Sequence, residues 1–137
     1  MGLVISERFL DTARGPQGTV RWETAQDHPD LIPGRLARLS IRGALGALDI
    51  YAAYLQSGET AEDRQARCTA IASLHSLLRP QNKVLSLAGG DWNWVPTKED
   101  RWCRDTGQYT GHKDGREAGI WHSFFRAPGH EKLHELD

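Results

Sequence analysis

The segment Gly34-Arg35-Leu36-Ala37-Arg38-Leu39-Ser40-Ile41-Arg42-Gly43 changes polarity at nearly every step. Ala37, Leu39 and Ile41 fall on one side, and Arg38, Ser40 and Arg42 on the other. Alternation of period two is the signature of a strand with one buried face. Gly43 to Gly46 is turn chemistry, and Leu48-Asp49-Ile50-Tyr51-Ala52-Ala53-Tyr54-Leu55 follows, apolar on nearly both faces. A strand of that kind belongs in the middle of a sheet, so the two segments read as a hairpin. The period then changes. Thr60 opens a helix with Asp63 three residues on, a variant capping box. Cys68, Ile71, Leu74, His75 and Leu78 lie near one helical stripe, and Pro80 stops it. Lys83-Val84-Leu85-Ser86-Leu87-Ala88 reads as a third strand that ends at Gly89-Gly90-Asp91. A helix between two strands predicts a layered α/β domain, and the hairpin makes its sheet mixed.

The rest of the chain is less regular. Residues 3–6 read as a short apolar strand. Residues 11–33 carry Gly15-Pro16, Gly18, His28-Pro29 and Pro33-Gly34, loop chemistry with one short strand at Thr19–Glu23. From Asp91 to Gly119 the chain is polar and rich in Gly and Trp, with little periodicity; an ordered loop of that length is usually functional. Glu131 to Leu136 begins a helix. The 137 residues suffice for one domain, and 39% hydrophobic with 26% charged residues is a globular balance. Seventeen Lys+Arg against eighteen Asp+Glu leave a net charge of -1. No positive field therefore draws the chain onto nucleic acid or a membrane from a distance. Two cysteines, Cys68 and Cys103, exclude a disulfide framework and read as thiols in a reducing, intracellular compartment, cytoplasm or nucleus. No apolar run approaches the roughly 18 residues of a membrane span, and the first residues lack the basic-then-apolar order of a signal peptide.

The chemistry concentrates at the end of the third strand. Asp91 offers a base or a hard-cation ligand, Asn93 a neutral donor and acceptor, and Gly89-Gly90 let a substrate approach the backbone. Side chains at strand ends in layered α/β folds face the usual ligand crevice. Taken alone, Gly-Asp-x-Asn is also an ordinary turn. Trp92, Trp94, Trp102 and Trp121 read as core or loop anchors ahead of a base-stacking role. His112 with Asp114, and His130 with His134, lack a third metal ligand in order, and the histidines read as solvated surface groups. Asp100-Arg101 reads as a surface ion pair.

Several segments occur in one order: Gly34-Arg35-Leu36-Ala37-Arg38-Leu39, then Leu48 to Tyr54, then Asp63-Arg64-Gln65-Ala66-Arg67, then Leu87-Ala88-Gly89-Gly90-Asp91-Trp92-Asn93-Trp94-Val95, then Glu99-Asp100-Arg101. This set resembles the endonuclease/exonuclease/phosphatase superfamily, the DNase I-like fold. It looks closest to the apurinic endonuclease-like domains of LINE-type retroelements. The resemblance implies a two-sheet α/β sandwich, a mixed sheet flanked by helices, present here in part. Asp91 is then the aspartate that orients or deprotonates the attacking water and a possible metal ligand. Asn93 is the asparagine that bonds the scissile phosphate, Tyr54 a phosphate contact at the end of the preceding strand, and Arg67 the arginine near the helix start, more structural than catalytic. Tyr54, Asp91 and Asn93 are expected together at one end of the sheet. The implied cofactor is Mg²⁺ and the implied partner of the complete domain is nucleic acid, with other domains of a retroelement polyprotein beside it.

The family also has an Asn and a Glu on its first strands, which bind the metal, and a terminal Ser-Asp-His segment. Neither stands in this sequence. Glu23 reads as a loop residue ahead of the Gly34-Arg35 strand, and His112, His122, His130 and His134 have no Ser-Asp-His context. Such constellations act as units. The expectation is a central fragment of a nuclease-type phosphodiesterase domain, inactive or weakly active by itself, with uncovered edges and marginal stability. The competing expectation is a non-catalytic remnant or interaction module. A phosphatase acting on a small phosphoester is a third reading within the family.

Overall fold

The computed structural model describes residues 3–44, 46–78, 84–110 and 114–126. Among them the chain is a mixed α/β protein. Helix α1 spans Glu7–Arg14, β1 Thr19–Glu23, β2 Leu36–Gly43, β3 Gly46–Tyr54, α2 Ala61–Leu77, β4 Val84–Asp91, β5 Trp102–Cys103, β6 Gln108–Tyr109 and α3 Gly115–Trp121. A 3₁₀ turn at Lys98–Asp100 precedes β5, and a π-helical turn at His122–Arg126 continues α3. The chain divides into two compact units. One is Met1–Tyr54 with Arg79–Asp91, and the other is Leu55–Leu78 with Trp92–Asp137. Pro80, the Lys83 start of the third strand and the helix expected at Glu131–Leu136 lie outside the described residues.

The first unit is built on a four-stranded sheet of order β1-β2-β3-β4. Gly43 pairs with Gly46, which closes the expected hairpin, and β3 pairs in parallel with β4 from Ala47 opposite Val84 to Tyr54 opposite Asp91. The sheet is mixed, as the hairpin and helix pattern requires. Register sorts the side chains by face. Ala37, Leu39 and Ile41 share one face with Leu48, Ile50, Ala52, Leu85 and Leu87, and Arg38, Ser40 and Arg42 share the other with Asp49 and Tyr51. The arginines on that second face are not left to water. Arg38 lies opposite Glu23 and bonds it through Nε at 2.6 Å, and Arg42 Nη1 meets Asp49 Oδ1 at 2.5 Å. The Arg38 guanidinium also lies 6.0 Å from the centre of the Tyr51 ring, and burial pushes the Tyr51 hydroxyl above its ordinary range. The short strand expected at Thr19–Glu23 is β1, and Glu23, also read as a loop residue, is its last residue, opposite Arg38.

Two local expectations are corrected. Residues 3–6 form no strand. Ser6 caps α1 by accepting from Phe9 N at 3.2 Å, Glu7 sits in the positive first turn, and Gly15 ends the helix at φ 67. Those cap signals outweigh the apolar run, which is left exposed at Leu3 and Val4. The third strand runs past Ala88 through Gly89 and Gly90, so Asp91 is its last residue rather than the residue after it. The parallel ladder with β3 continues to Tyr54 and carries β4 along.

In the second unit α2 begins at the predicted capping box: Asp63 N donates to Thr60 Oγ1 at 3.1 Å, and Thr60 N to Asp63 Oδ2 at 3.1 Å. The buried stripe is Arg67, Cys68, Ala70, Ile71, Leu74 and Leu77. Its polar member is neutralised inside the fold. Arg67, 1% exposed, reaches Glu117 Oε1 from Nε at 2.8 Å and from Nη2 at 2.7 Å, and Nη1 donates to the carbonyls of Gln56 and Gly58. Glu117 is 0% exposed. His75 stacks on Phe124 at 4.5 Å between ring centres. The segment expected to lack regular structure holds the β5–β6 hairpin and the start of α3. The aromatic contacts of Trp121 with Trp92, Trp94 and Phe125, at 5.1, 5.6 and 4.5 Å, give it a local core that periodicity does not register.

Glu117→Gln leaves Arg67 charged and buried without its counter-ion. It should lower unfolding stability by about 3–5 kcal/mol in urea titration, and the double change Arg67→Met with Glu117→Leu by less. The Thr60 hydroxyl, with its N–H, bonds the Asp63 carboxylate and holds that carboxyl below the usual range. A depressed folded-state pKa contributes stability above the unfolded value of about 3.9, lost as pH falls through the folded value. The stability gap between wild type and Asp63→Asn should therefore be full at pH 5 and above, and close in acid, read from urea midpoints across pH.

Candidate functional site

Tyr54 ends β3 and Asp91 ends β4, and the two are register partners. Partners in a ladder project to the same face, so phenol and carboxylate stand side by side at the carboxyl end of the parallel pair. Arg35 completes the row. Its carbonyl accepts from Tyr54 N at 2.8 Å, its Nη1 approaches the Tyr54 carbonyl at 3.4 Å, and its guanidinium lies 5.4 Å from the centre of the Tyr54 ring. The stacking is worth about 0.5–1 kcal/mol at an exposed site. Across three chain segments the first unit thus presents a guanidinium, a phenol and a carboxylate in one line. Tyr54 is 46% exposed and Asp91 is exposed. Glycine is required for the approach. Gly90 has φ 145, and a Cβ there would overlap the Ala53 carbonyl oxygen.

In the sequence Arg35 marks only the start of its strand segment. Its place was accessible: counting outward from the Gly43–Gly46 closure puts Arg35 opposite Tyr54. A planar fork of donors beside a phenol hydroxyl suits a phosphoryl oxygen. The carboxylate can accept a proton or hold a water.

Asn93 belongs to the second unit. It sits at φ 52, a left-handed conformation that Asn tolerates, and its Nδ2 donates to the Leu55 carbonyl at 2.8 Å. Arg67, read as more structural than catalytic though a phosphate contact by the resemblance, is a buried clamp here. With Glu117 and two carbonyls around it and 1% exposure, it does not present itself to an external phosphate. Asp100 and Arg101 do not pair with each other. Asp100 caps the 3₁₀ turn by accepting from Thr97 N at 3.1 Å and Thr97 Oγ1 at 2.8 Å, while Arg101 meets Asp114 at 3.0 Å. Asp114, 3% exposed, also accepts from Val95 N at 3.0 Å, which commits it to holding the loop. Trp92, Trp94 and Trp121 are anchors of the local core. Trp102 departs from that expectation: it is 54% exposed and pairs with Tyr109 across the β5–β6 hairpin. His112, His130 and His134 lie outside the described residues, and His122 is exposed on the π-helical turn.

Among the described residues no three His, Cys, Asp or Glu side chains converge as a metal site. The row that holds Asp91 already contains a cation, Arg35. Among the same residues no helix is long and apolar enough to cross a membrane. Cys68 is a buried thiol and Cys103 a half-buried one. Comparison with protein-family models, with curated proteins and with solved structures returns no match for this chain.

Gly90→Ala tests the geometry of the row. The left-side φ and the overlap with Ala53 should cost about 1–3 kcal/mol of stability, whereas Gly89→Ala, with open space around its added methyl, should cost less, both read by thermal melts.

Proposed function

We propose that the chain is a phosphodiester-recognition domain of the endonuclease/exonuclease/phosphatase kind, with Arg35, Tyr54 and Asp91 as its contact row. The observation that carries this reading is the shared face of those three side chains at the strand ends, in the first unit. Arg35 and the Tyr54 hydroxyl take the phosphoryl oxygens. Asp91 orients a water or bonds a sugar or base donor, and Arg35 offsets the repulsion between its carboxylate and the phosphate. Asn93, two residues on, belongs to the proposal through the Gly-Asp-x-Asn pattern. The natural ligand is a nucleic acid strand, the setting is intracellular, and other domains of a retroelement-type polyprotein are its companions.

The reading is recognition ahead of turnover. Mg²⁺-dependent hydrolysis is what the resemblance implies, and the described residues supply no set of ligands that fits the ion. The test is anisotropy of a labelled single-stranded DNA oligonucleotide, together with plasmid nicking with and without chelator. Arg35→Ala should weaken binding by roughly tenfold or more, the scale of a lost charge-assisted hydrogen bond. Tyr54→Phe should weaken it less, and nicking should stay at background. Unchanged affinity in both variants would sink the contact row. Chelator-sensitive nicking that vanishes in Asp91→Ala would replace recognition by metal-dependent cleavage.

A further inference from the structure

The β5–β6 hairpin carries two large aromatic side chains that the local core does not use. Trp102 and Tyr109 are direct register partners, so both stand on one face of the hairpin. They meet edge to face, ring centres 4.9 Å apart and planes at 70°, with Trp102 54% and Tyr109 50% exposed. Each ring has the other as its aromatic neighbour among the described residues, in contrast to Trp92, Trp94 and Trp121. The hairpin is held firmly. Thr110 N donates to the Arg101 carbonyl at 2.9 Å, Gly107 N to the Cys103 carbonyl at 2.9 Å, and Arg101 ties its base to buried Asp114 at 3.0 Å. Half-exposed aromatics on a braced hairpin are presented, since apolar area left in water stabilises nothing.

We infer that the Trp102–Tyr109 pair is a stacking platform for an unpaired nucleobase. This rests on the phosphodiester reading above and adds a second contact to it. Rings near a right angle form a corner, and a flat ring can lie on one face while its edge meets the other. The charges of the hairpin point the same way. Glu99 is paired with Lys98 and Asp114 with Arg101, while Asp100, bonded by the neutral Thr97, keeps its charge. Arg104 and Asp105, both exposed in the turn, are left beside the platform with no ion pair among the described residues and cancel. The surface therefore does not capture a polyanion by charge. Binding through it is carried by stacking, which every base can supply.

The experiment uses the full chain and a single-stranded 12-mer of DNA with 2-aminopurine at an internal position. Wild type should quench the probe on binding. Trp102→Ala should abolish the quench and weaken affinity on the order of tenfold, with far-UV circular dichroism unchanged because the side chain is exposed. Trp102→Phe should keep most of both. The Trp102-dependent part should change little with salt, unlike the part lost in Arg35→Ala. Equal quenching and affinity in Trp102→Ala would overturn the platform while leaving the contact row standing. Loss of affinity in Trp102→Ala but not in Arg35→Ala would overturn the row and leave the platform. Trp102-dependent capture of a neutral oligosaccharide in place of the oligonucleotide would overturn the choice of a base.

Discussion

The parallel ladder between β3 and β4 is the constraint on which the rest of the first unit depends. It runs from Ala47 opposite Val84 to Tyr54 opposite Asp91, and its last step is possible only because residue 90 has no side chain. A one-residue slip would turn every β4 side chain to the other face. Asp91 would then leave Tyr54 and Arg35, and the apolar set at Leu85 and Leu87 would leave Leu48 and Ile50. The same alignment that pairs Leu85 and Leu87 with Leu48 and Ile50 sets the chemical row at its end.

In the second unit a buried ion pair does the comparable organising. Arg67 spends its guanidinium on Glu117 from α3 and on two carbonyls of the segment between β3 and α2. Removing such a pair as a whole costs less than orphaning one member, so its worth lies in fixing which segments meet. Glu117 Oε2, buried without a hydrogen-bond partner among the described residues, shows that the geometry is set by Oε1 alone. The Arg38–Glu23 and Arg42–Asp49 pairs play a lesser part on the polar face of the sheet, where exposure of Arg42 screens its pair.

The hairpin, the capping box at Thr60 and the mixed sheet were legible because each rests on short-range signals: period two, a glycine turn, a hydroxyl three residues before a carboxylate. Helix α1 was misread because Leu3-Val4-Ile5 is louder than the Ser6 and Gly15 caps that decide it. Asp91 was legible by its motif, and its Tyr54 partner by strand ends. Arg35 carries no motif of its own, and its place opposite Tyr54 follows only from the cross-strand count outward from Gly43 and Gly46. The β5–β6 hairpin was hidden for a similar reason. Its strands are two residues each, too short for alternation to appear, and long-range pairs such as Arg101 with Asp114 hold it.

At 15.3 kDa the chain suits solution NMR, and inter-strand proton contacts in it test the register most directly. The account predicts backbone NOEs that link Tyr54 with both Arg35 and Asp91, and Ala53 with Gly90. A set offset by one residue, with Ala53 opposite Asp91, would put the carboxylate on the face away from the phenol and the guanidinium. That result would contradict the shared row from which the functional reading is built.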